Sequence, residues 1–539
     1  MMNYPLLIPR ILERANTFFP YKEIVTREEA SFHRYTYGDL TQRVARLSNA
    51  LRGLGVKEGD RVATFAWNTY RHLEAYFAAP VMGAVVHTVN IRLATEDIVY
   101  IINHAADKII LVDPDLVPIL EALAPRLESV EHYIVMTGDR DFLTSLPSPL
   151  NYEELLDAAS SDYLPADLDE NAPAGLCFTS ATTGRPKGVT YSHRGIVLHT
   201  MMQSQADTMG FRERDVVLAM VPMFHANCWG VPFSAAMVGA SQVLPGVRPD
   251  PQAICELIQG QRVTLALGVP TIWVGILDHL EKSGLDLDFS SLREVLSGGS
   301  AVPSSLIKAY KDKLGVDLVH AYGMTEGTPI VAYNRRVSAL DGLSDEEKLA
   351  LAGKQGMLVS GLETRLVDEE GNDLSWDGES RGELLFRGPW IASEYYNDLR
   401  SQETFIDGWY HSGDIASIDR NGYIQIGDRV KDMVKSGGEW ISSVDLETAI
   451  IAHPGVLEAA VIAVPHPTWQ ERPLACVVPN VEHLDTLQKA EVLDFLRDRF
   501  ASWWVPDDVV FLDEIPKTSV GKFDKKLLRE QFKDYQVSR

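Results

Sequence analysis

The chain has 539 residues, 45% of them hydrophobic and 23% charged, with a formal net charge of −25. That length is too great for one core, so two or more domains are expected. The acidic balance argues against nucleic acid and against an anionic membrane surface as partners. The four cysteines, Cys177, Cys228, Cys255 and Cys476, form no C-x-x-C pair, so neither a zinc site nor a disulfide framework is indicated, and a reducing cytoplasm fits. The N-terminal stretch MMNYPLLIPRILERANTFFP has no apolar core of the length a signal peptide needs. The longest apolar stretch, Val263 to Leu277, contains Gly268, Pro270 and Gly275. It is too short to span a bilayer and reads as a buried strand, a turn and the start of a helix.

In chain order, residues 35 to 135 alternate strands and helices. Tyr37 to Leu54 has helical spacing, Arg61 to Ala66 is strand-like, and His72 to Met82 is helical. Gly83 to His87 is strand-like, Thr95 is placed to cap a helix, and Lys108 to Val112 is another strand. Such alternation argues for βαβ units and a mainly parallel sheet, and it recurs from Val216 to Val319. From Trp376 to Gly413, and just beyond at Asn421-Gly-Tyr423, short strands and turns suggest a β-rich subdomain. After Asp428 helices and strands resume, so the expected division is 1–428 and 429–539.

The stretch Phe178 to His193, FTSATTGRPKGVTYSH, carries the strongest signal. Strand-like segments flank a loop with hydroxyls at Thr179, Ser180, Thr182 and Thr183, a turn at Gly184 and a cation at Lys187. Hydroxyls, free backbone N–H groups and a lysine are what a polyphosphate needs, because each phosphate oxygen takes a donor. The spacing is not G-x-x-x-x-G-K-[ST]. The plain alternative is a polar surface loop.

This loop resembles the phosphate loop of the AMP-forming acyl-CoA synthetases, within the superfamily of adenylating enzymes. Ala181 stands where the family usually has glycine, which leaves the conformation of the loop open. Further motifs follow in the family's order over nearly the whole chain. The fold this implies is α/β: a large N-terminal domain of mainly parallel sheets with helices and a β-rich subdomain, then a small, mobile α+β C-terminal lid. The reaction implied is attack of a carboxylate on the α-phosphorus of ATP, then transfer of the acyl group from AMP to the thiol of coenzyme A. ATP, Mg²⁺ and coenzyme A are the cofactors implied.

The resemblance assigns roles residue by residue. In Tyr322-Gly-Met-Thr-Glu326, Tyr322 stacks on adenine, Thr325 meets the α-phosphate and Glu326 is a hard oxygen ligand for Mg²⁺. Taken alone, that segment reads as a turn and a helix start. The preceding Ser297-Gly-Gly-Ser-Ala-Val-Pro303 lets backbone approach the adenine through Gly299 and Ser300 and the acyl group through Gly298 and Pro303, with Gly323 and Met324 also on the acyl side. Asp414, in Trp409-Tyr-His-Ser-Gly-Asp414, accepts from the ribose hydroxyls. In Gly427-Asp-Arg-Val-Lys-Asp432, Arg429 contacts ribose or phosphate and Lys431 is the hinge. In Ser436-Gly-Gly-Glu-Trp440, Gly437 and Gly438 line the pantetheine path and Trp440 lies near the adenine. Lys522, in Pro516-Lys-Thr-Ser-Val-Gly-Lys522, binds carboxylate and α-phosphate together; on composition alone it belongs to a solvated basic tail. Val221-Pro-Met-Phe-His-Ala-Asn-Cys-Trp229 supplies His225 toward the acyl-adenylate and Trp229 as an aromatic gate to the acyl pocket. Trp229 reads equally well as a core tryptophan.

The function expected is therefore an acid–CoA ligase acting on a short- or medium-chain acid. The chain looks most like the medium-chain type and the 3-methylmercaptopropionate–CoA ligases, which makes 3-(methylthio)propanoate the preferred substrate. A medium- or long-chain fatty acid is the alternative within the class. Loading of a carrier-protein thiol and a non-catalytic nucleotide sensor are alternatives outside it. No nucleic-acid or membrane partner is expected, and the oligomeric state stays open, a homodimer among the options.

Overall fold

The structure, a computed structural model, describes residues 1–179, 185–284, 287–429, 432–436, 439–484, 486–497, 499–518, 522–533 and 535. Among these residues the strands form three sheets. The first has seven strands in the order Pro149–Asn151, His132–Val135, Ile109–Val112, Arg61–Phe65, Val85–Thr88, Pro173–Phe178 and Gly188–Ser192. Neighbours are parallel except the last pair, which runs antiparallel with Phe178 opposite Gly188. The loop between those two residues thus joins adjacent strands at one edge of a buried sheet.

The second sheet has fourteen strands. Its parallel part runs through Ser241–Leu244, Val216–Ala219, Leu265–Gly268, Glu294–Gly298 and Asp317–Gly323. At Ile330–Tyr333 it turns antiparallel and continues through Gly356–Leu358, Tyr423–Arg429, Trp409–Ile418, Gly382–Arg387 and Glu363–Val367. The expected β-rich run therefore makes no sheet of its own. Backbone pairing continues across the boundary, so that Asp414 and Arg429 lie opposite each other on neighbouring strands of the same sheet that carries Tyr322.

One core joins these two sheets. It contains Val62 and Ile109 from the first and Val217, Leu265 and Leu296 from the second. The helix Tyr70–Val81 is buried at every position but Arg71, which is the pattern of a helix sandwiched between apolar layers. Local signals agree with the boundaries. Thr36 caps the helix Tyr37–Gly53, accepting from the Asp39 N–H at 3.2 Å while the Asp39 carboxylate accepts from the Thr36 N–H at 2.9 Å. Thr95 differs from expectation. The chain enters that helix one residue earlier, at Ala94, so Thr95 is the first helical residue and no side-chain cap forms; Glu96 and Asp97 supply the favourable charge of the first turn instead.

The third sheet, of five strands, comprises Glu439–Ile441, Val434–Ser436, Gln470–Pro479, Val456–His466 and Asp508–Phe511. With the helices Ser443–Ile451 and Lys489–Arg497 it has its own core around Val461, Ala475, Leu446 and Val492. Polar contacts tie it to the rest: Arg381 to Asp445 at 2.8 Å, and the Ser442 hydroxyl donating to the Gly427 carbonyl at 2.9 Å. A large α/β unit and a smaller α+β unit thus follow each other along the chain. Among the described residues no helix is long and apolar enough to cross a membrane.

Candidate active site

Several candidate residues lie at or just after strand ends, where side chains and N–H groups can extend beyond a sheet. Phe178 ends one strand of the first sheet. Gly298 and Gly323 end two neighbouring strands of the second. Three groups of side chains line this region.

The first group surrounds the loop after Phe178. Thr179 and Lys187 close its mouth: the Thr179 N–H donates to the Lys187 carbonyl at 2.9 Å, and the Lys187 N–H to the Thr179 hydroxyl at 3.2 Å. Ser180, Thr182, Thr183 and Gly184 lie outside the described residues, as does Ala181. The Lys187 ammonium donates to the Tyr395 hydroxyl at 2.8 Å, and that hydroxyl donates to Glu326 Oε1 at 2.7 Å. Glu326 is only 6% exposed. Backbone holds it from two sides: its carbonyl accepts from the Ala392 N–H at 2.8 Å, and the carbonyl of Thr325 before it accepts from the Tyr191 hydroxyl at 2.7 Å. Among the described residues no group of three or more His, Cys, Asp and Glu side chains could hold a metal ion. A single fixed carboxylate suits a Mg²⁺ ion whose other ligands are water and nucleotide phosphates.

The second group is Tyr322 with Asp414. The Tyr322 hydroxyl donates to Asp414 Oδ2 at 2.5 Å, and the Asp414 N–H donates to the Ser412 hydroxyl at 3.1 Å. Asp414 is buried, while Tyr322 is half-buried and has a ring surface to offer. Between the two groups stands Tyr410. Burial lifts its phenol well above the ordinary range, and the negative charges of Glu326 and Asp414 add to that. The phenol therefore stays neutral. The backbone of Arg429 pairs with that of Asp414.

The third group is built on an unusual turn. Ala226, Asn227, Cys228 and Trp229 have φ of 44°, 49°, 51° and 54°, and Gly230 follows at 76°. A left-handed conformation costs an L-residue about 1–2 kcal/mol, so four in succession must be held by their surroundings. The Gln203 amide donates to the Trp229 carbonyl at 2.6 Å, and the Cys177 thiol donates to Asn227 Oδ1 at 3.4 Å. The turn drives the Trp229 indole inward, and the residue is 5% exposed. A Cβ on Gly298 would lie 3.1 Å from the far edge of that indole and 2.6 Å from the Ala321 carbonyl, so only glycine fits there. A Cβ on Gly299 would lie 3.7 Å from Lys522 Cε and 4.0 Å from the same indole. Lys522 thus reaches from the smaller unit onto the bend that Trp229 closes. His225 is beside it: burial, with the Lys522 charge adding to it, pushes the imidazole down to about 3, so the ring is neutral at physiological pH.

The remaining candidates lie around this bend. Ser300 is exposed on the turn after Gly299, Pro303 precedes the helix Ser304–Ala309, and Met324 is half-buried against the main core. Lys431, Gly437 and Gly438 lie outside the described residues, as do the side chains of Arg429 and Trp440. Sequence reasoning missed Tyr395, Tyr410, Tyr191 and Gln203. Tyr395 sits in a short irregular segment and Tyr410 near the start of a strand, and the groups they meet are far away in the chain. The apolar-turn pattern around Ser393-Glu-Tyr-Tyr-Asn397 signals a loop and nothing more.

Comparison with known proteins accounts for this arrangement. The AMP-binding enzyme family matches residues 12–396, and the AMP-binding enzyme C-terminal domain matches residues 445–522. The chain is 47% identical over 538 residues to a long-chain-fatty-acid–CoA ligase of Thermus thermophilus, covering 99% of this chain and 97% of that one. It is 44% identical over 536 residues to a 3-methylmercaptopropionyl-CoA ligase of Ruegeria lacuscaerulensis, covering 99% and 98%. The crystal structure of an anthranilate CoA ligase in complex with anthranoyl-AMP superposes with a TM-score of 0.87 at 27% identity, covering 98% of each chain. The chain belongs to the AMP-binding enzyme family, as an acid–thiol ligase of the AMP-forming acyl-CoA synthetase type.

Proposed function

We propose that this ligase activates a short- or medium-chain apolar carboxylic acid, 3-(methylthio)propanoate foremost. The observation that carries the reading is the Trp229 indole lying against Gly298 at the bend that Lys522 reaches. If Lys522 marks the carboxylate, an aromatic wall stands a few atoms beyond it. A short thioether chain suits such a wall, because sulfur packs well against an aromatic ring.

In this reading Tyr322 stacks on adenine and Asp414 takes the ribose hydroxyls, with Arg429 and Trp440 completing the nucleotide site. Gly299 and Ser300 offer backbone to the adenine, while Gly298, Gly323, Met324 and Pro303 border the acyl chain. Thr179, Ser180, Thr182, Thr183, Gly184 and Lys187 give donors to the phosphates, and Thr325 meets the α-phosphate. Glu326 would hold Mg²⁺, which would supply positive charge to the phosphates. Carboxylate and phosphate repel each other, and Lys522 offsets that repulsion where they meet, which favours in-line attack. A neutral His225 adds no competing positive charge and can hydrogen-bond the acyl-adenylate.

We divide the chain after Asp428, with residues 429–539 as a lid that turns at Lys431. The turn withdraws Lys522 and brings Gly437 and Gly438 to the site as the path for pantetheine. The thiol then attacks the acyl carbon and AMP leaves.

A longer fatty acid is the second reading, supported by the name of the Thermus thermophilus relative. The test is a panel of acids from propionate to palmitate, methylthio acids included, scored by kcat/KM in thiol-dependent AMP formation with free coenzyme A. A maximum at three to six heavy atoms beyond the carboxylate supports the proposal. A maximum at palmitate removes it. AMP formation that needs a carrier protein in place of coenzyme A would overturn both readings.

A further inference from the structure

We propose that Tyr395 is a positioning residue for the nucleotide–metal site: its hydroxyl bridges Lys187 and Glu326 and keeps that cation and that carboxylate apart and aimed. The inference rests on reading Glu326 as the metal ligand.

Direction follows from hydrogen counting. A phenol has one proton and an ammonium accepts nothing, so a hydroxyl between Lys187 and Glu326 accepts from the first and donates to the second. The chain of bonds is polarised one way, and each bond strengthens the next in a buried setting. The ring is fixed independently of the hydroxyl. It packs edge-on against Phe405 at 5.1 Å between centroids, and the Tyr395 N–H donates to the Ser401 hydroxyl at 2.9 Å. Tyr395 is among the largest fully buried side chains.

The consequence concerns what happens before nucleotide arrives. An ammonium and a carboxylate so close together would otherwise collapse into a direct ion pair, which Mg²⁺ and phosphate would then have to break. With the phenol in between, each charge is held by a neutral partner. Lys187 can leave for a phosphate while Glu326 keeps a donor on one oxygen and its other oxygen stays oriented.

The test compares wild type with Tyr395→Phe in the full-length enzyme, since this change removes one oxygen and keeps the ring. Two quantities are read: the Mg²⁺ concentration for half-saturation at fixed ATP, and the dissociation constant of ATP by calorimetry with and without Mg²⁺. A hydrogen bond to a charged group is worth about ten- to a hundredfold in affinity, so the Mg²⁺ half-saturation is expected to rise at least about tenfold, with kcat at saturation changed much less. Phe405→Leu, which loosens the ring but keeps the hydroxyl, is expected to lower Tm and to move the Mg²⁺ requirement clearly less than Tyr395→Phe does. A Tyr395→Phe enzyme with a lower Tm but an unmoved Mg²⁺ requirement would overturn the proposal. So would an equal shift in Phe405→Leu. Glu326→Gln separates the two layers. If it shifts the Mg²⁺ requirement and Tyr395→Phe does not, Tyr395 is structural; if it shifts nothing, Glu326 is not the ligand and both readings fall.

Discussion

The centre around Glu326 and the approach of Lys522 are built in opposite ways. Glu326 and its neighbours belong to the large unit, and backbone carbonyls, buried tyrosines and a strand end hold them in place. Lys522 comes from the smaller unit, which meets the large one through polar contacts such as Arg381 with Asp445, and a Cβ on Gly299 would lie 3.7 Å from its Cε. A group needed throughout a reaction is best fixed by a core. A group needed for one half of it is best carried on a part that can leave, because a few polar contacts in water cost little to break.

The comparison breaks most visibly at Lys522. Lys522→Ala is expected to lower adenylate formation by about two to three orders of magnitude, the scale of losing a charge aimed at developing negative charge. Thioester formation from a supplied acyl-adenylate should stay close to wild type. Equal losses in both half-reactions would mean that Lys522 serves the fixed centre. Lys431→Pro sharpens the same contrast from the other side. Proline locks φ, so pyrophosphate exchange should remain measurable while transfer to coenzyme A falls by at least about tenfold. Survival of both half-reactions would move the hinge elsewhere.

A smaller effect is expected at Trp229, the proposed acyl wall, which belongs to the large unit. Trp229→Ala removes the indole from beside Gly298 and opens room for further methylenes. Each buried CH₂ is worth about 0.8 kcal/mol, roughly three- to fourfold in kcat/KM per added carbon, so preference should move to longer acids while short and methylthio acids lose. ATP affinity should hardly change. A uniform drop across chain lengths would make Trp229 a structural residue only.

The smallest effect concerns stability against acid. Burial pushes His72, His193 and His320 down to about 4 and His199 to about 3, from an ordinary value of 6.5. Between those values the unfolded chain binds protons that the native one refuses. The stability they allow is complete above about pH 6.5 and falls as pH drops toward 4. Asp113, pushed up to about 7 by burial, works in the opposite direction over the same window, and so do the raised Glu74 and Asp107. His225, at about 3, and His33, also lowered by burial, add to these, and with six histidines against three carboxylates a Tm lower by a few degrees at pH 4.5 than at pH 7.5 is expected. Because His72, His193, His199 and His320 all belong to the large unit, the loss should appear in its transition. An unfolding transition of the smaller unit that moved first would contradict this.

How far the sequence could be read depended on where each signal was stored. Strand and helix identities came from local periodicity, while the one cap read from the sequence, Thr95, does not form. The phosphate-binding reading of Thr179 to Lys187 came from a run of hydroxyls around a glycine. The family came from ordered motifs, because each motif packs its chemistry into five to ten consecutive residues. These are local properties, and the chain states them directly.

Other features exist only once the chain is folded. That the strands after Ile330 extend the parallel sheet is a matter of long-range pairing, which period-two alternation does not specify. The left-handed turn at Ala226 to Gly230 runs against the preferences of Ala226, Cys228 and Trp229, and partners such as Gln203 and Cys177 from other strands and helices hold it. Tyr395 and Glu326 are 69 residues apart, and Lys187 is 208 residues from that tyrosine. No spacing in the sequence could announce that three such residues share one hydroxyl, since the chain between them is free to take any path until the core decides it.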